Sequence, residues 1–126
     1  MTRHRISRPI AALLALLAGA AAQAQGSPEA GFRIMADGTG GNCVACHALP
    51  GQAGTPSTFG PSLDKVGSRY SAEALRQWVT DARQVKTGTL MPPFGTTRGT
   101  NFSIRSRSIL SEDEIAHVVA ALQTLR

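Results

Sequence analysis

The stretch that most constrains this 126-residue chain is Cys43-Val44-Ala45-Cys46-His47. Two thiols three positions apart on one helical turn reach the two vinyl groups of a single haem as thioethers. The histidine that follows is then placed beneath the iron as an axial imidazole, which is the attachment pattern of a c-type haem. One motif implies one covalently bound haem c, held by Cys43, Cys46 and His47. Other uses of a cysteine pair fit less well. A thioredoxin-like pair needs strand-helix-strand surroundings, which are missing here. A zinc site needs four ligands, and apart from His117 the sequence offers no suitable others.

Haem of this type is attached outside the bacterial cytoplasm, and the N-terminus reads accordingly. Arg3, Arg5 and Arg8 precede the 13-residue apolar run Ile10 to Ala22 and the small-residue triplet Ala22-Gln23-Ala24. That is the layout of a cleavable secretory signal, expected over residues 1–24, with the mature haem-binding domain over residues 25–126. The run is too short to span a bilayer as a permanent helix, so no stable membrane anchor is expected and the mature protein is expected in the periplasm. Removing residues 1–24 takes three of the 13 basic residues and none of the eight acidic ones, lowering the net charge from +5 to +2. The high pI therefore belongs largely to the leader and gives no reason to expect nucleic-acid binding.

The remaining chain has material for only a thin core. Its aromatic residues are Phe32, Phe59, Tyr70, Trp78, Phe94 and Phe102, against 13 glycines and 7 prolines in the whole sequence. Three helices are expected among long loops, giving an all-α class. Ser27-Pro28-Glu29 reads as a cap with proline in the first turn, starting a helix to about Ala36 that Asp37-Gly38-Thr39-Gly40-Gly41 stops. Ser71 caps a second, in which Leu75, Trp78, Val79 and Ala82 form one buried stripe. Ser111 and Glu114 form a capping box for the third, whose Ile115, Val118, Val119, Leu122 and Leu125 share a face. Only Phe102-Ser103-Ile104 alternates like a strand, and it is too short for a sheet.

A second axial ligand is expected from Met91, in Thr89-Leu90-Met91-Pro92-Pro93-Phe94, 44 residues after His47. The two prolines stiffen the loop and deny it helical structure, so a thioether can be presented at little entropic cost. Met35, on the first helix, is expected in the core, and His117, one position off the apolar stripe, is expected in solvent. A His47/Met91 pair raises the potential and suits electron transfer. In Gly60-Pro61-Ser62-Leu63 the Pro61 carbonyl is free to accept the Nδ1 proton of His47, with Leu63 against the haem edge. Trp78, when buried, needs a partner for its indole N–H, and a haem propionate is the nearest candidate. No catalytic residue is identified.

The order of capped helix, Cys-x-x-Cys-His, Gly-Pro-x-Leu, tryptophan-bearing helix, Met-Pro and amphipathic final helix resembles the class I cytochromes c. This implies short helices and long loops wrapped around one haem. The blocks Asn42 to Pro50, Gly60 to Leu63, Leu75 to Arg83, Leu90 to Gly95, Leu110 to Ile115 and Val118 to Leu122 are more closely similar to the SoxX family, the monohaem subunits of SoxAX sulfur-oxidation cytochromes. Asp81-Ala82-Arg83 departs from that family's usual Asp-Pro-Arg, and the familiar Ala-Tyr-Leu ending is absent.

The resemblance implies a heterodimer with a SoxA-like haem subunit, acting as an L-cysteine S-thiosulfotransferase that couples thiosulfate to a cysteine of the SoxYZ carrier. Bond formation would lie on SoxA, this chain would accept electrons, and a soluble cytochrome c would remove them. A free-standing class I cytochrome c serving another respiratory or dehydrogenase system is the alternative, and a haem-based gas sensor is a more distant one.

Overall fold

A computed structural model of the chain describes residues 26–100 and 107–126. The signal segment and Phe102-Ser103-Ile104 lie outside them. Four α-helices and one 3-10 turn occur among the described residues, with no strand. Helix α1, Pro28–Ala36, begins where Ser27 Oγ accepts the Ala30 N–H at 3.3 Å, with Pro28 already set at a helical φ. The 3-10 turn is Cys43–Ala45, and α2 is the short Val66–Arg69. Helix α3, Ala72–Val85, is capped by Ser71 Oγ on Ala74 N–H at 3.2 Å. Helix α4, Glu112–Thr124, carries the full capping box: Glu114 Oε2 accepts from Ser111 N–H at 2.8 Å and Ser111 Oγ from Glu114 N–H at 3.3 Å.

Helix α2 was not expected, because four residues are too few to show an apolar period. It starts after Lys65, and the 3-10 turn starts after Asn42; both residues adopt left-handed backbone angles, with φ of 56° and 46°. Each reverses the chain just before a helical turn.

Helix α4 is the centre of the molecule. Helix α1 packs chiefly on it, and α2 and α3 lean against it from other sides. Met35, Leu110, Ile115 and Val118 are the largest fully buried side chains; burying each contributes about 1.5–3 kcal/mol. On α3, Leu75, Val79 and Ala82 are buried as the stripe requires, while Trp78 is half-buried. On α4, Leu125 falls at the C-cap rather than on the helix, and Ala121 completes the buried face.

The approach of α1 to α4 corrects the expectation for His117. A Cβ at Gly31 would collide with the His117 carbonyl and lie 2.7 Å from Ala121 Cβ, so only glycine allows the contact. At that separation the start of α1 reaches His117, whose Nδ1 accepts the Ser27 backbone N–H at 2.8 Å. His117 is thus a half-buried structural group rather than a solvated one. Among the described residues no helix is long and apolar enough to cross a membrane.

Candidate cofactor site

The Cys-Val-Ala-Cys-His segment is fixed at both ends by backbone bonds. Upstream, Gly41 N–H donates to Ile34 O at 3.1 Å and Asn42 N–H to Asp37 O at 3.0 Å, tying it to the end of α1. Within it, Cys46 and His47 N–H both donate to Cys43 O, at 3.1 and 2.9 Å, which closes the turn. Downstream, the Gly60–Leu63 loop folds back: Gly60 N–H donates to Cys46 O at 2.6 Å and Leu63 N–H to Ala48 O at 2.9 Å.

That return places the Pro61 carbonyl 2.6 Å from His47 Nδ1. A carbonyl only accepts, so Nδ1 carries the proton and Nε2 is left with its lone pair free for a metal. Gly60 lies flat against the ring, and a Cβ there would stand 2.7 Å from His47 Cε1. In the sequence the Gly-Pro dipeptide signals the free carbonyl of Pro61 but carries no sign that Gly60 must lie against the His47 ring.

A cleft of roughly 350 Å³, counting the solvent at its mouth, opens beside His47. Cys43, His47 and Leu63 line one part of it, Met91, Phe94 and Leu110 another, and Val79, Val118, Leu122 and Met35 complete it from the helices. Cys43, His47, Leu63 and Met91, far apart in sequence, are therefore brought to one cavity, and Pro61 joins them through the ring of His47. Cys46 and Trp78 do not line it, and Val79 occupies the α3 position that faces it. Met35 is fully buried, as expected, yet also reaches the cavity. Met91 is half-buried, its N–H donating to Thr89 Oγ1 at 3.2 Å.

The chemistry of this lining fits a haem. Carbon and sulfur make up nearly all of it, which suits a flat apolar macrocycle, and its polar features are an imidazole with a free nitrogen and a thiol. Desolvation, with a smaller contribution from neighbouring Cys46, pushes the Cys43 thiol up to about 11, so without haem it stays neutral within the apolar wall. No group of three or more His, Cys, Asp or Glu side chains that could hold a metal ion by itself occurs among the described residues. When bound, the haem supplies a one-electron ferric/ferrous couple.

The chain belongs to the cytochrome c family, whose sequence profile matches residues 28–126. Its fold is the class I cytochrome c fold and its cofactor is one haem c, whose attachment motif Cys43, Cys46 and His47 fit. Among solved structures it is similar to a chain of SoxXA from P. pantotrophus, with 39% sequence identity and a TM-score of 0.69. The likeness covers 80% of this chain and 82% of that one. No curated protein sequence matches it.

Proposed function

We propose that this chain is the electron-accepting SoxX-type subunit of a SoxXA-like complex that works in the periplasm on thiosulfate. The carrying observation is the 39% identity to a chain of SoxXA over four-fifths of both proteins, joined to a site with one haem motif and no third cysteine. Residues 1–24 act as a cleavable signal and residues 25–126 as the mature cytochrome domain.

In this reading Cys43 and Cys46 would hold the haem as thioethers, and His47 Nε2 and Met91 Sδ would be the groups that bind its iron. Pro61 orients His47 by accepting the Nδ1 proton, and Leu63 packs against the ring edge. Joining a carrier thiol and thiosulfate into an S–S bond releases one proton and two electrons. One iron accepts a single electron at a time, so two successive transfers to a soluble cytochrome c are needed. With His47 and Met91 on the iron and both cysteines bound to the haem, this chain would have no site at which to form the bond. That step falls to the SoxA-like partner, on the thiol of a SoxYZ-type carrier.

The test mixes the purified holoprotein with thiosulfate and the carrier. It should cycle reversibly with small one-electron reagents yet stay oxidised in this mixture, and become reduced when the SoxA-like partner is added, with two equivalents reduced per S–S bond. Reduction without the partner would overturn this division of labour. Failure to bind the partner or be reduced with it would favour the free-standing electron carrier.

A further inference from the structure

Helix α3 breaks one turn before its end, and the break is tied to the loop that carries Met91. Asp81 has φ −155° and ψ 88°, far from helical values. In an unbroken helix, the N–H groups of Arg83 and Gln84 would donate to the carbonyls of Val79 and Thr80. Here Arg83 N–H turns instead to Asp81 Oδ1 at 3.2 Å. The Val79 and Thr80 carbonyls accept from Phe94 N–H at 3.3 Å and Gly95 N–H at 3.0 Å. The kink therefore exposes two acceptors that seize the chain three and four residues after Met91. On the other side of this contact, Phe94 O accepts Leu110 N–H at 2.8 Å.

The side chains at the kink extend the hold. Asp81 is the buried charged residue among those described, with 9% of its surface exposed, and such a group is costly unless paired. Arg83 pairs with it as a fork, Nε to Oδ1 at 2.7 Å and Nη2 to Oδ2 at 2.9 Å. The same guanidinium donates to the Arg98 carbonyl at 2.6 Å and the Gly99 carbonyl at 3.0 Å. One planar cation thus joins the kink to both carbonyls of a turn beyond the Met91 loop. Gly95 admits no side chain, since a Cβ would lie 2.7 Å from Ile115 Cδ1 and 2.9 Å from Thr80 Cγ2.

We propose that Asp81 and Arg83 are positioning residues that clamp the loop from Phe94 to Gly99 onto α3, and so hold the Met91 thioether at the haem cavity. This role rests on Met91 being the second axial ligand. A buried ion pair is often no better for stability than an apolar replacement; what an apolar pair could not do here is bind two loop carbonyls. The clamp acts against transient loss of the ligand, because a loop freed at residues 94–99 lets Met91 swing away.

The test uses the ferric and ferrous holoprotein with Arg83→Ala, Asp81→Asn and Met91→Ala, and with Arg76→Ala as a control on the same helix. Three readouts are taken: the sulfur-to-iron charge-transfer band against rising pH, the rate of carbon monoxide binding to the ferrous form, and hydrogen exchange at Phe94 and Gly95. The two clamp variants should lose the band at lower pH than wild type. They should bind carbon monoxide about tenfold faster or more, the scale of one charge-assisted hydrogen bond, and exchange those amides faster. Arg83→Lys, which keeps the charge but not the planar fork, should share these changes. Arg76→Ala should match wild type in all three. A band absent in Met91→Ala but unchanged in Arg83→Ala and Asp81→Asn, with unchanged carbon monoxide rates, overturns the clamp even if their melting temperatures fall. A band that survives Met91→Ala overturns the ligand reading itself, and the positioning role with it.

Discussion

Single atoms decide the chemistry on the His47 side of the cavity. The ring is wedged between the Gly60 backbone and the Pro61 carbonyl, so Gly60→Ala should tilt it and lower the haem potential while leaving the thioethers intact, as voltammetry and the pyridine haemochrome spectrum would show. Pro61→Ala should be milder because it keeps the carbonyl. Cys43→Ala combined with Cys46→Ala should abolish haem staining after denaturing electrophoresis; haem removable from wild type by acidic solvent would contradict covalent attachment. Asp81 contributes to the acid behaviour, its carboxyl being held below its ordinary value chiefly by the Arg83 side-chain hydrogen bond. A lowered folded value means that the ionised pair contributes stability above about pH 3.9, the unfolded value, and loses it as pH falls through the lower folded one. Melting curves should therefore show a smaller loss between pH 5 and the acid limit in Asp81→Asn than in wild type.

At the scale of helices, the α1 to α4 contact is the joint that fixes where the haem motif begins. Gly31→Ala would push its methyl into the His117 carbonyl and Ala121, an overpacking of about 1–3 kcal/mol readable as a lower midpoint in denaturant. His117→Ala leaves the Ser27 N–H without its acceptor and should cost about 1 kcal/mol. Because His117 lies outside the cavity lining, that variant should keep the charge-transfer band and the potential; loss of the band would point to His117 as a ligand. Ser111→Ala removes the cap of α4 and should cost about 1 kcal/mol, again without spectral change.

Across the whole molecule, the helices packed around the apolar cleft are short and marginal alone. The chain expressed without haem attachment should therefore show weak helical circular dichroism and no cooperative melting. Its outer face bears exposed Phe59 and Leu90, 70% and 77% accessible, next in sequence to Gly60 and Met91. Arg98 and Arg107 are exposed on the Gly95 to Leu110 segment, which has no acidic residue, while Arg105 lies outside the described residues. If these arginines steer a partner, replacing all three by serine should slow association most at low ionic strength; unchanged rates there would reject steering.

The haem c, the Cys-x-x-Cys-His motif that fits it and the starts of α1, α3 and α4 were legible in the sequence because each depends on local spacing. A Cys-x-x-Cys-His run or a capping box works within one or two turns of chain. Pro61 was legible as a partner of His47 only in that its carbonyl is free to accept; the 14-residue return that delivers it is made by tertiary backbone bonds. Tertiary structure alone decided the rest. His117 left solvent because Gly31 lets α1 approach, which brings together Ser27 and His117, 90 residues apart along the chain. Periodicity made α3 continuous through Ala82, whereas in the fold Asp81 leaves helical angles and the Val79 and Thr80 carbonyls accept from the distant Phe94 and Gly95 amides. Hydrogen bonds between segments distant in sequence leave no period to read, so the packing around the cleft had to be seen in three dimensions.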